Sequence, residues 1–342
     1  MRLLRTAKFH WLAGTLAVVP LGIAFSTGIV LGLKDWVSYL RFPFVLEISD
    51  VQKLAPSITP ELLIQRAKRQ FPAWQLKAFH PAEASDRSVQ VRLYLPPNQA
   101  QQKLVFLDPK SGTLLESRDV VLSSTWQFIY NLHRGIWAGL YGQILMASAA
   151  LLFVALASTG AWMALKRFRA SGTRSRWTIE GRLAGSIHHN LGLLLGALGS
   201  MWVVLGAVLN FSEPLKKTFD PMPSFLNLPT RLIQDDLPTS EILKIARKAY
   251  GPEIPEGIYF SSRQNEPVLV YYRVGGRLYL NAVDGSVIRA RRPESHWTSA
   301  LYPLHSGRWI GKLGPPILSI LALALLMLTL SGLFLRYQRG KV

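Results

Sequence analysis

Four long apolar stretches constrain the fold of this chain more than any other feature of its sequence. They run from about residue 9 to 33, 136 to 165, 187 to 211 and 313 to 335. Crossing roughly 30 Å of hydrocarbon takes about 20 helical residues, and each stretch is long enough. The first carries no Lys, Arg, Asp or Glu between Lys8 and Lys34. Pro20 and the Pro315-Pro316 pair interrupt the pattern, which spanning helices tolerate when neighbours satisfy the freed backbone groups. Only 17% of the 342 residues are charged, against about 25% in a soluble domain. These features predict a membrane α-helical protein that meets a lipid bilayer. A cleaved leader is a poor account of the first stretch, since a signal peptide needs only about 7–15 apolar residues.

The charge is lopsided, with 39 basic against 20 acidic side chains and a net charge of +19. The basic residues flank the apolar runs instead of forming one face, so nucleic acid is not the expected partner. Arg2, Arg5 and Lys8 precede the first span. Lys166, Arg167, Arg169, Arg174, Arg176 and Arg182 crowd the loop between spans two and three, and Arg336, Arg339 and Lys341 follow the fourth. Basic short loops stay in the cytoplasm, which puts both termini there and the two long loops outside. In a bacterium that is the inner membrane, with the loops in the periplasm. The expected organisation is span one over 1–33, an outer segment over 34–132, span two over 133–166 and an inner loop over 167–186. Span three then covers 187–211, a second outer segment 212–304, and span four with its tail 305–342. There are no cysteines, which excludes disulfides, thiol catalysis and covalent c-type haem.

The chain repeats itself. Leu132-His133-Arg134-Gly135-Ile136-Trp137-Ala138-Gly139-Leu140-Tyr141-Gly142 matches Leu304-His305-Ser306-Gly307-Arg308-Trp309-Ile310-Gly311-Lys312-Leu313-Gly314 at an offset of 172. The shared pattern is L-H-x-G-x-W-x-G-x-x-G, and Thr159-Gly160 matches Ser331-Gly332 at the same offset. Spans one and three repeat at an offset of 178, pairing His10 with His188, Gly14 with Gly192 and Gly28 with Gly206. Each outer segment opens on a helical pattern, at Thr59-Pro60-Glu61 and Thr239-Ser240-Glu241, with the Thr placed to cap it. Strand patterns follow at 89–95 and 104–107, and at 268–274 and 277–280. Each series closes on a turn, Asp108 to Gly112 or Asn281 to Gly285, with a short strand after it. The expected fold is a four-span bundle with two outer α+β domains, built by internal duplication.

Four of the seven histidines fall at equivalent helix ends. A pseudo-two-fold axis through the bundle would set His10 against His188 on the cytoplasmic side and His133 against His305 on the periplasmic side. Cofactor sites in bundles are built from facing helices in this way, and two opposed imidazoles are the axial ligands of a six-coordinate haem b. Gly14, Gly135, Gly192 and Gly307 present no side chain to an approaching porphyrin. His189 is the alternative to His188; adjacent helical residues point about 100° apart, so one of them faces the core. As interfacial anchors and close-packing glycines, the same residues would need no cofactor. His80 and His296 read as structural or surface residues. Zinc fits less well, because two ligands at each end fall short of the three or four it takes from protein.

The chain resembles the PepSY-associated transmembrane family. The two L-H-x-G-x-W-x-G-x-x-G segments, the His-led first and third spans and the paired outer domains carry the resemblance, which covers nearly the whole chain. It implies PepSY-like outer domains and two haem b groups, with His10 and His188 holding one and His133 and His305 the other. It also implies an oxidoreductase of iron uptake that reduces a ferric siderophore, or another Fe(III) chelate, in the periplasm. Trp126, Tyr130, Arg134, Trp297, Tyr302 and Arg308 are the candidate contacts for substrate or haem propionates. As a rival role, the two arginines snorkel to lipid phosphates. No nucleotide- or flavin-binding segment occurs in the short inner loop, so the electron donor is expected to be a separate protein or a membrane quinol. Two other classes compete: a periplasmic binding or regulatory module on a non-redox anchor, and a siderophore or metal permease. The spans contain no carboxylate, which counts against a proton-coupled carrier.

Overall fold

The structure is a computed structural model and describes residues 2–34, 36, 58–82, 87–120, 124–170, 183–221, 237–261 and 266–339. The first half of the chain holds α1 (Arg2–Gly32), α2 (Pro60–Gln70), β1 (Gln75–His80), β2 (Val89–Leu95), β3 (Asn98–Leu107), β4 (Leu114–Val120), α3 (Ser124–Arg134) and α4 (Gly139–Ala170). The second holds α5 (Leu183–Asn210), α6 (Ser212–Phe219), α7 (Thr239–Tyr250), β5 (Gly257–Tyr259), β6 (Val268–Tyr271), β7 (Arg277–Leu280), β8 (Val287–Arg291), α8 (Trp297–Ser306) and α9 (Gly314–Arg339). These elements form two compact units. One comprises Met1–Lys34, Thr125–Leu215 and Leu304–Val342, the other Asp35–Ser124 and Lys216–Pro303.

The first unit is helical. Helices α1, α4, α5 and α9 have 31, 32, 28 and 26 residues, and all four are long and apolar enough to cross a membrane. Helix α1 packs against α4 and α9, and α5 packs against the same two. The diagonals of the bundle are therefore α1 with α5 and α4 with α9. Ala17, Leu21, Phe25, Ala149, Phe153 and Leu325 fill its core, while Leu16, Leu151, Leu194 and Ile320 stand exposed on its outside. Helices that are apolar on every side suit a hydrocarbon surround.

The glycine motif makes the turn into spans two and four. Helix α3 ends at Arg134, and Gly135 turns the chain at φ 71° into a short 3-10 turn over Ile136–Ala138. Gly139 follows at φ 59°, and α4 begins. Gly307 and Gly311 repeat this at φ 77° and 82° ahead of α9. Only glycine adopts such angles readily. The third glycine of each motif serves close approach: a Cβ on Gly142 would collide with the Gly135 carbonyl, and one on Gly314 with that of Gly307. Trp137 and Trp309 are left exposed on the turns.

The second unit contains one antiparallel sheet of eight strands in the order β4-β3-β2-β1-β5-β6-β7-β8. The expectation of two outer domains is corrected here. Strands β1 and β5 pair at Ala78↔Tyr259 and Phe79↔Ile258, and one apolar core serves both halves. Phe79, Val91, Leu93, Val105 and Leu107 join Ile258, Val268, Val270, Leu278 and Leu280 under Leu63 and Ala67 of α2 and Ile242 and Ala246 of α7. Pairing β1 with β5 removes two open sheet edges, which is the physical reason the halves join. Neither strand stands out in the sequence. A register shift at Leu76/Ala78 breaks the alternation of β1, and β5 is three residues long.

Of the two sheet helices, one starts as the sequence predicts and the other does not. Thr59 caps α2, accepting from the Leu62 amide at 3.4 Å. Thr239 instead lies inside α7, whose N-cap is Pro238, with no side-chain cap of its own. The Ser240 amide donates at 2.6 Å to the carboxylate of Glu61, in the other half of the chain. Both expected turns form around an Asx side chain, Asp108 accepting from the Lys110 amide at 2.7 Å and Asn281 from the Val283 amide at 3.1 Å.

Candidate functional site

The bundle brings its histidines together as two diagonal pairs. His10 on α1 and His188 on α5 have ring centroids 6.3 Å apart and planes at 85°. His133 at the end of α3 and His305 at the end of α8 have centroids 6.2 Å apart and planes at 38°. His133 lies against Ala24, Thr27 and Gly28. From His10 to Ala24 is about 21 Å along α1 at the helical rise. The buried residues Ala17 and Leu21 lie on α1 between the two pairs.

All four rings are held at the same nitrogen. His10 Nδ1 lies 2.8 Å from Thr159 Oγ1, and that hydroxyl already donates to the Ala155 carbonyl at 2.7 Å. His133 Nδ1 lies 2.9 Å from Thr27 Oγ1, which donates to the Ile23 carbonyl, and 3.1 Å from the Ala24 carbonyl. His188 Nδ1 lies 3.2 Å from the Leu328 carbonyl and 3.3 Å from Ser331 Oγ. His305 Nδ1 lies 3.2 Å from the Trp202 carbonyl. A carbonyl only accepts, so Nδ1 is the N–H donor in His133, His188 and His305; the Thr159 hydroxyl, within reach of the Ala155 carbonyl, is placed to accept from His10 in the same way. The lone pair of each neutral imidazole is then at Nε2, the nitrogen left to bind a metal.

The spacing fits one ion between each pair. An imidazole nitrogen binds a first-row metal at about 2.0–2.1 Å and lies roughly 1.1 Å from its ring centre, so two rings flanking one ion have centroids about 6.3 Å apart. Among the described residues no group of three or more His, Cys, Asp or Glu could hold a metal ion. Each pair offers two imidazoles. It suits a metal whose other ligands come from a planar macrocycle, as in haem b.

The glycines behind the rings are not those the sequence points to first. A Cβ on Gly206 would stand 2.6 Å from His305 Cε1, and one on Gly332 2.9 Å from His188 Cε1. On Gly160 and Gly28 it would lie 3.4 Å from Cε1 of His10 and His133. Gly14 and Gly192 have ordinary packing, with Leu156 at 3.7 Å and Leu328 at 3.5 Å of an added Cβ. Gly135 and Gly307 serve the turns. The signal for the rear glycines was in the repeat, where Gly28 matches Gly206 and Thr159-Gly160 matches Ser331-Gly332.

His189 is exposed, its ring 6.1 Å from that of His188; His188 is the residue opposite His10. His296 Nδ1 lies 2.8 Å from Thr298 Oγ1 at the start of α8. The candidate contact residues separate between the two units. Arg134 donates to the Tyr130 hydroxyl at 2.9 Å and to Asn210 Oδ1 at 3.3 Å. The Lys34 ammonium lies 5.6 Å from the centre of the Trp126 ring, and Arg308 is half-buried on its turn. Trp297 and Tyr302 fall in the sheet unit, where the Trp297 ring packs 5.8 Å from Phe219.

A second histidine of the sheet unit, besides His296, is buried singly. His80 ends β1, its Nδ1 2.9 Å from the Glu256 carbonyl and its ring edge-on to Tyr259 at 5.5 Å. Burial pushes its imidazole down to about 4, and the neighbouring Arg92 charge adds to the effect.

Among curated proteins none matches the chain. The family described as the PepSY-associated TM region matches residues 7–339, and the chain belongs to that family.

Proposed function

We propose that this protein holds two haem b groups, one between His10 and His188 and one between His133 and His305, and conducts electrons across the inner membrane to a ferric chelate in the periplasm. The observation that carries this is the pair of diagonal imidazole sites, 6.3 and 6.2 Å between ring centres, each ring oriented through Nδ1. Bound haem supplies reversible one-electron iron chemistry.

The chain's own residues do the rest. The hydroxyls of Thr159, Thr27 and Ser331, with the carbonyls of Ala24, Leu328 and Trp202, hold each imidazole in the tautomer that offers Nε2. The core around Leu21, Phe25, Phe153 and Leu325 keeps water from the space between the sites. The basic ends of the short loops support cytoplasmic termini and a periplasmic position for the eight-stranded sheet unit. The repeated order of a helix and four strands, and of a His-bearing turn before spans two and four, supports an origin by duplication.

A ferric siderophore is the substrate class we favour, because hard oxygen donors hold Fe(III) well and softer Fe(II) poorly. One-electron reduction is then a release reaction. The donor is a separate protein or a membrane quinol. The test uses full-length protein in liposomes with a reductant enclosed and a ferric hydroxamate and an Fe(II)-specific chromogen outside. Coloured Fe(II) complex should form, and His133→Ala should abolish it. No colour from haem-loaded protein would remove the ferric chelate as acceptor.

A further inference from the structure

The oxygen partners of the four histidines follow the two repeat offsets, with one exception. Thr159 beside His10 corresponds to Ser331 beside His188. The Ala24 carbonyl beside His133 corresponds to the Trp202 carbonyl beside His305. At this last pair the side chains differ: a methyl group in α1 stands where α5 has an indole. Thr27, which gives His133 its hydroxyl, corresponds to Leu205, which has none.

Trp202 holds His305 at three points. Its indole Nε1–H donates to the His305 carbonyl at 2.7 Å, its own carbonyl accepts from His305 Nδ1 at 3.2 Å, and the two rings lie 5.4 Å apart, tilted by 30°. His305 is in the last turn of α8, where carbonyls lack helical partners, and Gly307 two residues on is a positive-φ turn. The indole bond closes one of those open carbonyls and fixes a segment that would otherwise swing at the glycine. Gly206 stands one turn further along α5, on the same helix face as Trp202, with its missing Cβ against the His305 ring.

We infer that Trp202 is a positioning residue for His305, and that it makes the two ends of the bundle inequivalent. The His10/His188 pair is held by matching hydroxyls. The second pair has a hydroxyl on one ring and a tryptophan clamp on the other. The inference rests on the haem reading above, and its consequence lies in ring orientation: low-spin ferric haem reports the angle between its axial imidazole planes in its electron paramagnetic resonance signal.

The experiment compares oxidised full-length protein with Trp202→Phe, Trp202→Leu and Thr159→Val, counting haem in each. Trp202→Phe keeps an aromatic ring in the core and removes only the N–H donor. Both haems should remain, one of the two low-spin signals should shift, and Thr159→Val should shift the other. Trp202→Leu should move the same signal further. Two haems with both signals unmoved in Trp202→Phe and Trp202→Leu, or both signals moved alike, would overturn the positioning role alone. Protein without haem would overturn this inference together with the reading beneath it.

Discussion

The bundle and the sheet each draw matching elements from both halves of the chain, yet they close by different means. In the sheet, backbone pairing of β1 with β5 and one apolar core make a unit whose interior is filled by its own side chains. In the bundle, four spans bring two pairs of imidazoles to a separation that fits a metal between each pair. His80, in the sheet unit, shows what an imidazole does when it serves structure. It is buried singly against Tyr259 and the Glu256 carbonyl and kept neutral. The bundle histidines are paired, and their Nδ1 atoms are all held from behind. Pairing sets the bundle histidines apart from His80, whose Nδ1 is tethered as theirs are.

That contrast can be broken from the sheet side first. Phe79 is fully buried at the junction of the two halves, and Phe79→Ala should cost about 3–5 kcal/mol. Hydrogen exchange should accelerate in all eight strands while the haem count stays at its wild-type value. Loss of haem in this variant would mean that the bundle sites depend on the sheet.

Acid should act on the same unit. The His80 pKa falls from 6.5 to about 4 on folding, so the unfolded chain binds the proton more readily in that window. This contribution to stability is complete above pH 6.5 and is lost as pH falls towards 4, by roughly 3 kcal/mol. Denaturant midpoints of the wild type should drop across the window, and those of His80→Leu should drop less. Equal slopes would show that His80 is not the group responsible.

On the bundle side, the glycines behind the rings grade the test. Gly206→Ala puts a Cβ 2.6 Å from His305, whereas Gly28→Ala leaves 3.4 Å to His133. Overpacking of the first kind costs about 1–3 kcal/mol, so Gly206→Ala should lower occupancy of its haem site and Gly28→Ala should leave occupancy near normal. Haem titration of the two variants separates them. The smallest expected effect is that of Glu61→Ala. It removes the amide partner of Ser240 at the start of α7 and should cost about 1 kcal/mol, the usual worth of a helix cap. A thermal melt of the sheet signal reads it, and an unchanged melt would show that the cap contributes nothing measurable.

The spans and the histidine pairs were legible because both depend on one-dimensional patterns. Apolar runs of this length have few alternatives, and the L-H-x-G-x-W-x-G-x-x-G repeat marks His133 and His305 by its offset, although Gly135 and Gly307 make turns and do not back the rings. The single sheet was not legible, because β1 carries a register shift, β5 is too short to show a period, and the pairing that joins them spans 179 residues at Phe79↔Ile258. The capping of α7 by Glu61 is equally non-local. The rear glycines were visible as repeat matches, but their role needed the packing of neighbouring helices. Trp202 was hidden for the opposite reason: it departs from the repeat, so alignment of the halves passes over it.

The central claim is that each diagonal pair of histidines binds one haem b. A pyridine haemochrome count on detergent-purified wild type, His188→Ala and His133→Ala, with oxidised and dithionite-reduced spectra, tests it most directly. The account predicts two b haems per wild-type chain with low-spin spectra, and one in each variant. A colourless protein from haem-replete cells, or variants that keep both haems, would contradict it.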